Sequence, residues 1–316
     1  MGLKTTTIGS LPKPLTLRRA RWLHDEGEIE KAALKEAEQQ ATRQAIELQE
    51  SLSLDVLVDG QMDRSDMISH FAERLEGMEP VGLVRCYDNR YYRKPRIVGE
   101  LARPEPICVE SWKAAQEITA RPLRAILTGP YTLMDWSFDE HYASRDKCCL
   151  ALAGLLRQEV EDLVAEGVRE IQFDEPAISS RPHEMDLVLE AVSRVATDLP
   201  GVRTWLHICY ADLTPVIEQV LTLPVDGFLL ELANSGFRLL DHLEALPQNR
   251  LLGAGIVDAA SPEIETVDGL KRRIESMLAK VPAGRLWIAP DAGLRALEPE
   301  TAKAKLEAMV TAAGAS

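Results

Sequence analysis

Short apolar runs, each closing on polar residues or a glycine and most set apart by a helix-length interval, recur along this chain of 316 residues. That rhythm restricts the fold more than any other feature. Parallel strands cannot be joined by a tight turn, so strands alternating with helices imply a parallel sheet covered on its faces. The runs are Lys4 to Ile8, Asp55 to Gln61, Pro95 to Glu100, Arg124 to Leu127, Val168 to Phe173, Trp205 to Tyr210, Phe228 to Asn234, Leu252 to Val257 and Arg285 to Pro290. Between them, apolar residues at helical spacing predict a long amphipathic helix from Glu28 to Ser51 and another from about Arg145 to Glu166, with Cys148 and Cys149 as packing residues. Leu83 to Tyr87 and Tyr91 to Arg93 flank Asp88-Asn89-Arg90, which suggests a hairpin excursion over residues 81–100 at one mouth of the fold. Pro95 to Glu100 belongs either to that hairpin or to the main sheet. With it in the hairpin, eight strands remain, the number in a (β/α)8 TIM barrel whose active site gathers at the carboxyl ends of the strands. An open doubly wound sheet is the alternative. The length suits one barrel domain over residues 1–316.

Fifty acidic against thirty-six basic residues leave a formal charge of −14, which argues against nucleic acid or an anionic membrane surface as partner. No run approaches the roughly 18 apolar residues of a membrane span. The five cysteines follow no disulfide-scaffold spacing and the amino terminus has no secretory pattern, so a reducing cytoplasm is the expected location.

The strand ends present Ser10, Asp59 with Gln61, Thr128, Asp174 with Glu175, His207 with Cys209, Glu231 with Asn234, Asp258 and Asp291. Any one could cap a helix or hold a turn. Their convergence on one barrel face would give a site built from several strands. His207 and Cys209, two apart on one strand, point to the same side of the pleat. With Glu231 from the next strand they make a mixed N, S and O set of the kind zinc accepts, leaving a fourth position for water or substrate. A histidine and a cysteine packed in a core would read the same way.

Taken together, these residues resemble the catalytic half of cobalamin-independent methionine synthase, especially its short archaeal-type form. The likeness runs in order through Thr5-Thr6-Thr7-Ile8-Gly9-Ser10, Asp59-Gly60-Gln61, Thr128-Gly129-Pro130-Tyr131, Trp136-Ser137, Asp174-Glu175-Pro176-Ala177, His207-Ile208-Cys209-Tyr210, Glu231-Leu232-Ala233-Asn234 and Pro290-Asp291-Ala292-Gly293-Leu294. The resemblance implies a zinc-dependent barrel that moves a methyl group to the thiol of homocysteine. It places His207, Cys209 and Glu231 as zinc ligands. Ser10, Gln61 and Asp174 fall where the family holds the amino acid end of homocysteine, and Trp136 where it stacks on the folate donor. Gln61 replaces a glutamate of the longer enzymes, which implies a weaker grip on the substrate ammonium.

Two departures stand out. Ala292 occupies the place of the family's fourth zinc ligand, a cysteine, and the family's Asp-x-His-Ser-Pro loop reads Asp258-Ala259-Ala260-Ser261-Pro262 here. Asp258 is the candidate catalytic residue of that loop. Losing a thiolate should weaken zinc binding. Losing the histidine removes an acid that a departing tetrahydrofolate nitrogen would use, whereas methylcobalamin needs none. Of the two donors, methyl-tetrahydrofolate and methylcobalamin, the loss therefore points to a corrinoid, with a corrinoid protein as partner, or to another donor that needs no acid. A paralogue acting on another small-molecule thiol, or a non-catalytic binding relative, are the rival readings.

Overall fold

A computed structural model describes residues 2–85 and 91–314; Cys86 to Arg90, which include the expected hairpin turn, lie outside the described residues. The strands are β1 (Lys4–Thr5), β2 (Glu76–Arg85), β3 (Tyr91–Ala102), β4 (Ala125–Thr128), β5 (Phe138–Asp139), β6 (Glu170–Asp174), β7 (Arg203–Ile208), β8 (Gly227–Glu231), β9 (Leu251–Val257) and β10 (Leu286–Pro290). Seven form one parallel sheet in the order β1-β10-β9-β8-β7-β6-β4. Val56 and Leu57 close the ring, because Thr6 bridges Val56 and Leu57 bridges Leu123, both in parallel sense. The result is a closed (β/α)8 barrel, not the open sheet.

The second stave is short, and a side chain completes its ladder. Gln49, fully buried on the helix Lys31–Ser51, donates to the Val58 carbonyl at 2.8 Å and accepts from the Val58 N–H at 3.0 Å. A primary amide offers the same donor and acceptor as a peptide group, so no buried backbone group of Val58 is left unpaired. The expected helix from Glu28 begins at Lys31, and that from Arg145 ends at Ala165. Cys148 and Cys149 are buried on the latter.

Staves β4 and β8 are buried along their whole length, as expected where helices cover a sheet and side chains fill its interior. Inside, Ile8, Val56, Trp205, Leu229, Trp287 and Ala289 pack as a cluster distinct from the larger shell between sheet and helices. Trp205 and Trp287 meet with ring centroids 4.9 Å apart. Gly227 is needed there, since a Cβ at that position would come within 2.5 Å of the Trp205 ring.

Pro95 to Glu100 falls within β3, which pairs antiparallel with β2. The excursion starts at Glu76 and ends at Ala102, so it is longer than the 81–100 suggested by sequence, and β5 joins its edge in parallel. Pro80 sits opposite Pro95, and the ladder shifts register between Pro80 and Leu83. Two prolines remove ladder donors, which hides such a segment from strand patterning. Among the described residues no helix is long and apolar enough to cross a membrane.

Candidate active site at the barrel mouth

The register aligns the carboxyl ends of the staves. Thr128 lies beside Asp174, Asp174 beside His207, and Glu231 beside Gly255. Polar residues from successive strands therefore share one rim, as barrel geometry requires.

Ser10 follows β1 and packs against the loop after β10. Its carbonyl accepts the Leu294 N–H at 2.7 Å, and a Cβ on Gly293 would stand 2.1 Å from its Oγ. Gln61 lies beside it, with its side-chain amide nitrogen 3.1 Å from where a Cβ on Gly9 would be. Gln61 adopts a left-handed φ of 54°, and its N–H is held at 2.9 Å by the Asp59 carboxylate. Asp174 reaches the same corner through Gln172, whose amide donates to Asp174 Oδ1 at 2.7 Å and to the Ile8 carbonyl at 2.8 Å. Arg124 donates to the Gln172 oxygen at 3.1 Å, which fixes the amide orientation. Residues two apart on a strand face the same way, so β6 itself delivers both Gln172 and Asp174 to the interior. Burial pushes the Asp174 carboxyl up to about 7, opposed by the Gln172 hydrogen bond and by the Arg64 and Arg124 guanidinium groups. Gln61, and Asp174 through Gln172, thus both reach the segment Ile8-Gly9-Ser10.

Glu175 serves the fold. Its buried carboxylate accepts the N–H groups of Tyr131 and Thr132 at 3.0 and 2.7 Å and the Thr132 hydroxyl at 2.6 Å, at the start of the helix Pro130–Asp135.

On the neighbouring strand β7, His207 is buried and its Nδ1 lies 3.1 Å from the Leu229 carbonyl. A carbonyl can only accept, so Nδ1 carries the proton and the lone pair is on Nε2. Burial pushes the imidazole down to about 4, which keeps it neutral at ordinary pH. Glu231 Oε2 accepts the Tyr210 N–H at 2.6 Å, and its Oε1 accepts the Asn234 amide at 3.0 Å. The Glu231 carboxylate is therefore bonded to the residue that follows half-buried Cys209 in sequence. Among the described residues no three His, Cys, Asp or Glu side chains are gathered as a metal ion would hold them. Asp291 braces this region: its carboxylate accepts the N–H groups of Leu232, Ala233 and Asn234 at 2.9, 3.0 and 2.6 Å. Burial pushes its pKa up to about 8 against those three donors. Ala292, next in sequence, is buried.

Trp136 ends the helix Pro130–Asp135 and stacks on Tyr92 of β3, with centroids 5.1 Å apart and planes inclined by 29°. Asp258 Oδ1 accepts the N–H groups of Ala260 and Ser261 at 2.8 and 3.3 Å, so its carboxylate holds its own turn. Its carbonyl accepts from the buried Lys305 at 3.0 Å. Sequence reasoning passed over Gln172, Tyr92, Arg64 and Lys13. Gln172 alone carried a usable signal, its two-residue spacing from Asp174.

A closed barrel with polar strand ends converging on its carboxyl face defines a TIM-barrel enzyme scaffold. The chain matches the family described as "Cobalamin-independent synthase, Catalytic domain" over residues 3–315 and belongs to it. It is 35% identical to a methionine synthase of Pyrococcus abyssi, covering 98% of this chain and 91% of that protein. It is also 35% identical to a 5-methyltetrahydropteroyltriglutamate–homocysteine methyltransferase of Aeromonas salmonicida, but covers only 43% of that longer protein. Among solved structures, a B12-independent methionine synthase from Shewanella sp. W3-18-1 in complex with selenomethionine superposes with a TM-score of 0.89 at 27% identity, over 99% of this chain and 97% of that one.

Proposed function

We propose that the chain is a thiol S-methyltransferase that forms methionine from homocysteine, with methyl-tetrahydrofolate as donor and zinc as its metal. The observation that carries the reading is that Gln61, and Asp174 through Gln172, both reach the segment Ile8-Gly9-Ser10, polar groups of the kind an amino acid's charged ends require, in a chain of this family. The Asp174 carboxylate and the Gln61 amide oxygen accept from the substrate ammonium, and Ser10 donates to the carboxylate. An ammonium beside Asp174 favours its ionised form against burial.

His207, Cys209 and Glu231 would hold zinc, with no protein ligand from Ala292. The donor chemistry fits: a neutral imidazole whose Nδ1–H is fixed by Leu229, one thiol and one carboxylate. Bound zinc supplies acidification of the substrate thiol. Glu231 must then yield part of its bonding to Tyr210 and Asn234. In the transfer, a bond forms between the homocysteine sulfur and the methyl carbon while the bond from that carbon to the donor nitrogen breaks. The proton lost by the thiol matches the one gained by the nitrogen, so the reaction is proton-neutral overall. Trp136, stacked on Tyr92, offers an aromatic surface to the donor ring. Asp258 contributes by shaping the loop that carries Ala260.

The family is cobalamin-independent, so the relatives lend no support to a corrinoid protein partner. Purified protein with zinc and L-homocysteine is expected to form methionine from methyl-tetrahydrofolate. Methylcobalamin belongs in a parallel reaction, because Ala260 stands where the family's loop carries histidine. Zinc bound at about one per chain with no methionine from either donor would overturn the reading.

A further inference from the structure

Lys13 lies three residues beyond Ser10 and reaches across to the loop that carries Gln61. Its Nζ stands 2.7 Å from the Gln61 carbonyl, 2.6 Å from that of Arg64 and 3.4 Å from that of Met62. Arg21 adds a second cation, donating to the Met62 carbonyl at 2.6 Å and to Glu38 at 2.8 Å. Gln61 is thereby fixed on both sides, its N–H by Asp59 and its carbonyl by Lys13, in a left-handed conformation that a non-glycine residue adopts at a cost. An ammonium has three N–H donors and no acceptor, which matches three carbonyls; a neutral amine has one donor fewer and no charge.

We propose that Lys13 is a positioning residue for the amino-acid pocket: its ammonium ties the Gln61 loop to the Ser10 loop, so affinity for the amino acid depends on Lys13 being charged. The inference rests on the reading that Ser10 and Gln61 hold the substrate.

The groups facing Lys13 come from four elements. Arg21 lies on the helix Leu15–Asp25, Glu38 on the helix Lys31–Ser51, Arg295 on the loop after β10 and Asp63 on the clamped loop itself, where the buried Asp59 carboxyl also feels the Lys13 charge. Burial, with Arg21 and Arg295, pushes Lys13 down to about 7, against Asp63 and Glu38. The charge is then lost as pH rises through neutrality, whereas an arginine at this position would keep it.

The experiment measures calorimetric binding of L-methionine, which has no thiol to titrate, to wild type, K13R, K13M and S10A at about pH 6 and about pH 8. Comparing K13R with wild type at each pH cancels titration of Asp174. The expected result is that K13M binds about tenfold more weakly, the loss of charged hydrogen bonds, and that the K13R to wild-type affinity ratio rises severalfold from the lower to the higher pH. An unchanged ratio overturns the proposal, as does wild-type affinity in K13M while S10A is weakened. If neither S10A nor K13M is weakened, the pocket reading itself fails. Should K13M not fold, the K13R ratio alone decides.

Discussion

Replacing Gly293 with alanine tests the pocket without replacing any residue placed in it. The new Cβ would lie 2.1 Å from Ser10 Oγ, 3.2 Å from the Ser10 carbonyl oxygen and 3.3 Å from its Cβ, whereas real Cβ contacts essentially never fall under 3.0 Å. The Ser10 carbonyl is held by the Leu294 N–H, so the hydroxyl must give way, by about 1 Å or by turning about χ1. Gly293 has no left-handed φ, so the alanine meets no backbone penalty of that kind. One hydrogen bond to a charged carboxylate is worth about 1.5–3 kcal/mol. Losing it corresponds to a rise in the homocysteine KM of about ten- to a hundredfold, with kcat much less affected because the reacting sulfur is at the other end of the substrate. Steady-state kinetics of G293A and S10A, alongside thermal melts of both, make the comparison. A wild-type KM in G293A together with a raised KM in S10A would refute the geometric argument.

The metal reading predicts that H207A, as purified, loses zinc by elemental analysis while keeping the far-UV spectrum of the barrel. A292C, which adds a thiol where the family has one, should lose zinc to a chelator about tenfold more slowly or better. Q172L should cost about 2–4 kcal/mol in urea unfolding, because it strips partners from the buried Ile8 carbonyl and from Arg124 and frees Asp174. For Asp174, burial raises the folded-state pKa from 3.8 to about 7, so between those values the folded chain binds more protons than the unfolded one. Its contribution to stability is therefore present at low pH and lost as pH rises through about 7. D174N should be more stable than wild type at about pH 8, with the advantage shrinking toward about pH 5; a pH-independent difference in urea midpoints would contradict the burial argument.

Much of the barrel was legible because its staves are buried on both faces, and burial writes itself into a sequence as apolar runs broken by turn residues. The rim was legible for the same reason, since a strand that leaves the core must end in groups able to meet water. The hairpin was read short at its start because Pro80, with the register shift that follows it, interrupts the pattern of a ladder that nonetheless forms. The second stave was found as a strand, but its dependence on Gln49 was invisible, since that partner sits on the preceding helix and reads there as an ordinary polar residue.

By itself, the order of residues determined the alternation of strands and helices, the set of polar strand ends and the family to which they belong. Only the folded chain decided which of those ends come near one another. Ser10, Gln61 and Asp174 come from separate staves, and Gly9, Gly293 and Gln172 make the contacts around them, between residues up to 283 positions apart. Asp258 and Glu175, polar strand ends of the same kind in sequence, turn their carboxylates to nearby backbone instead. The physical reason is that a side chain's role is set by which hydrogen-bond partners lie within about 3 Å, and closure of the barrel is what chooses them.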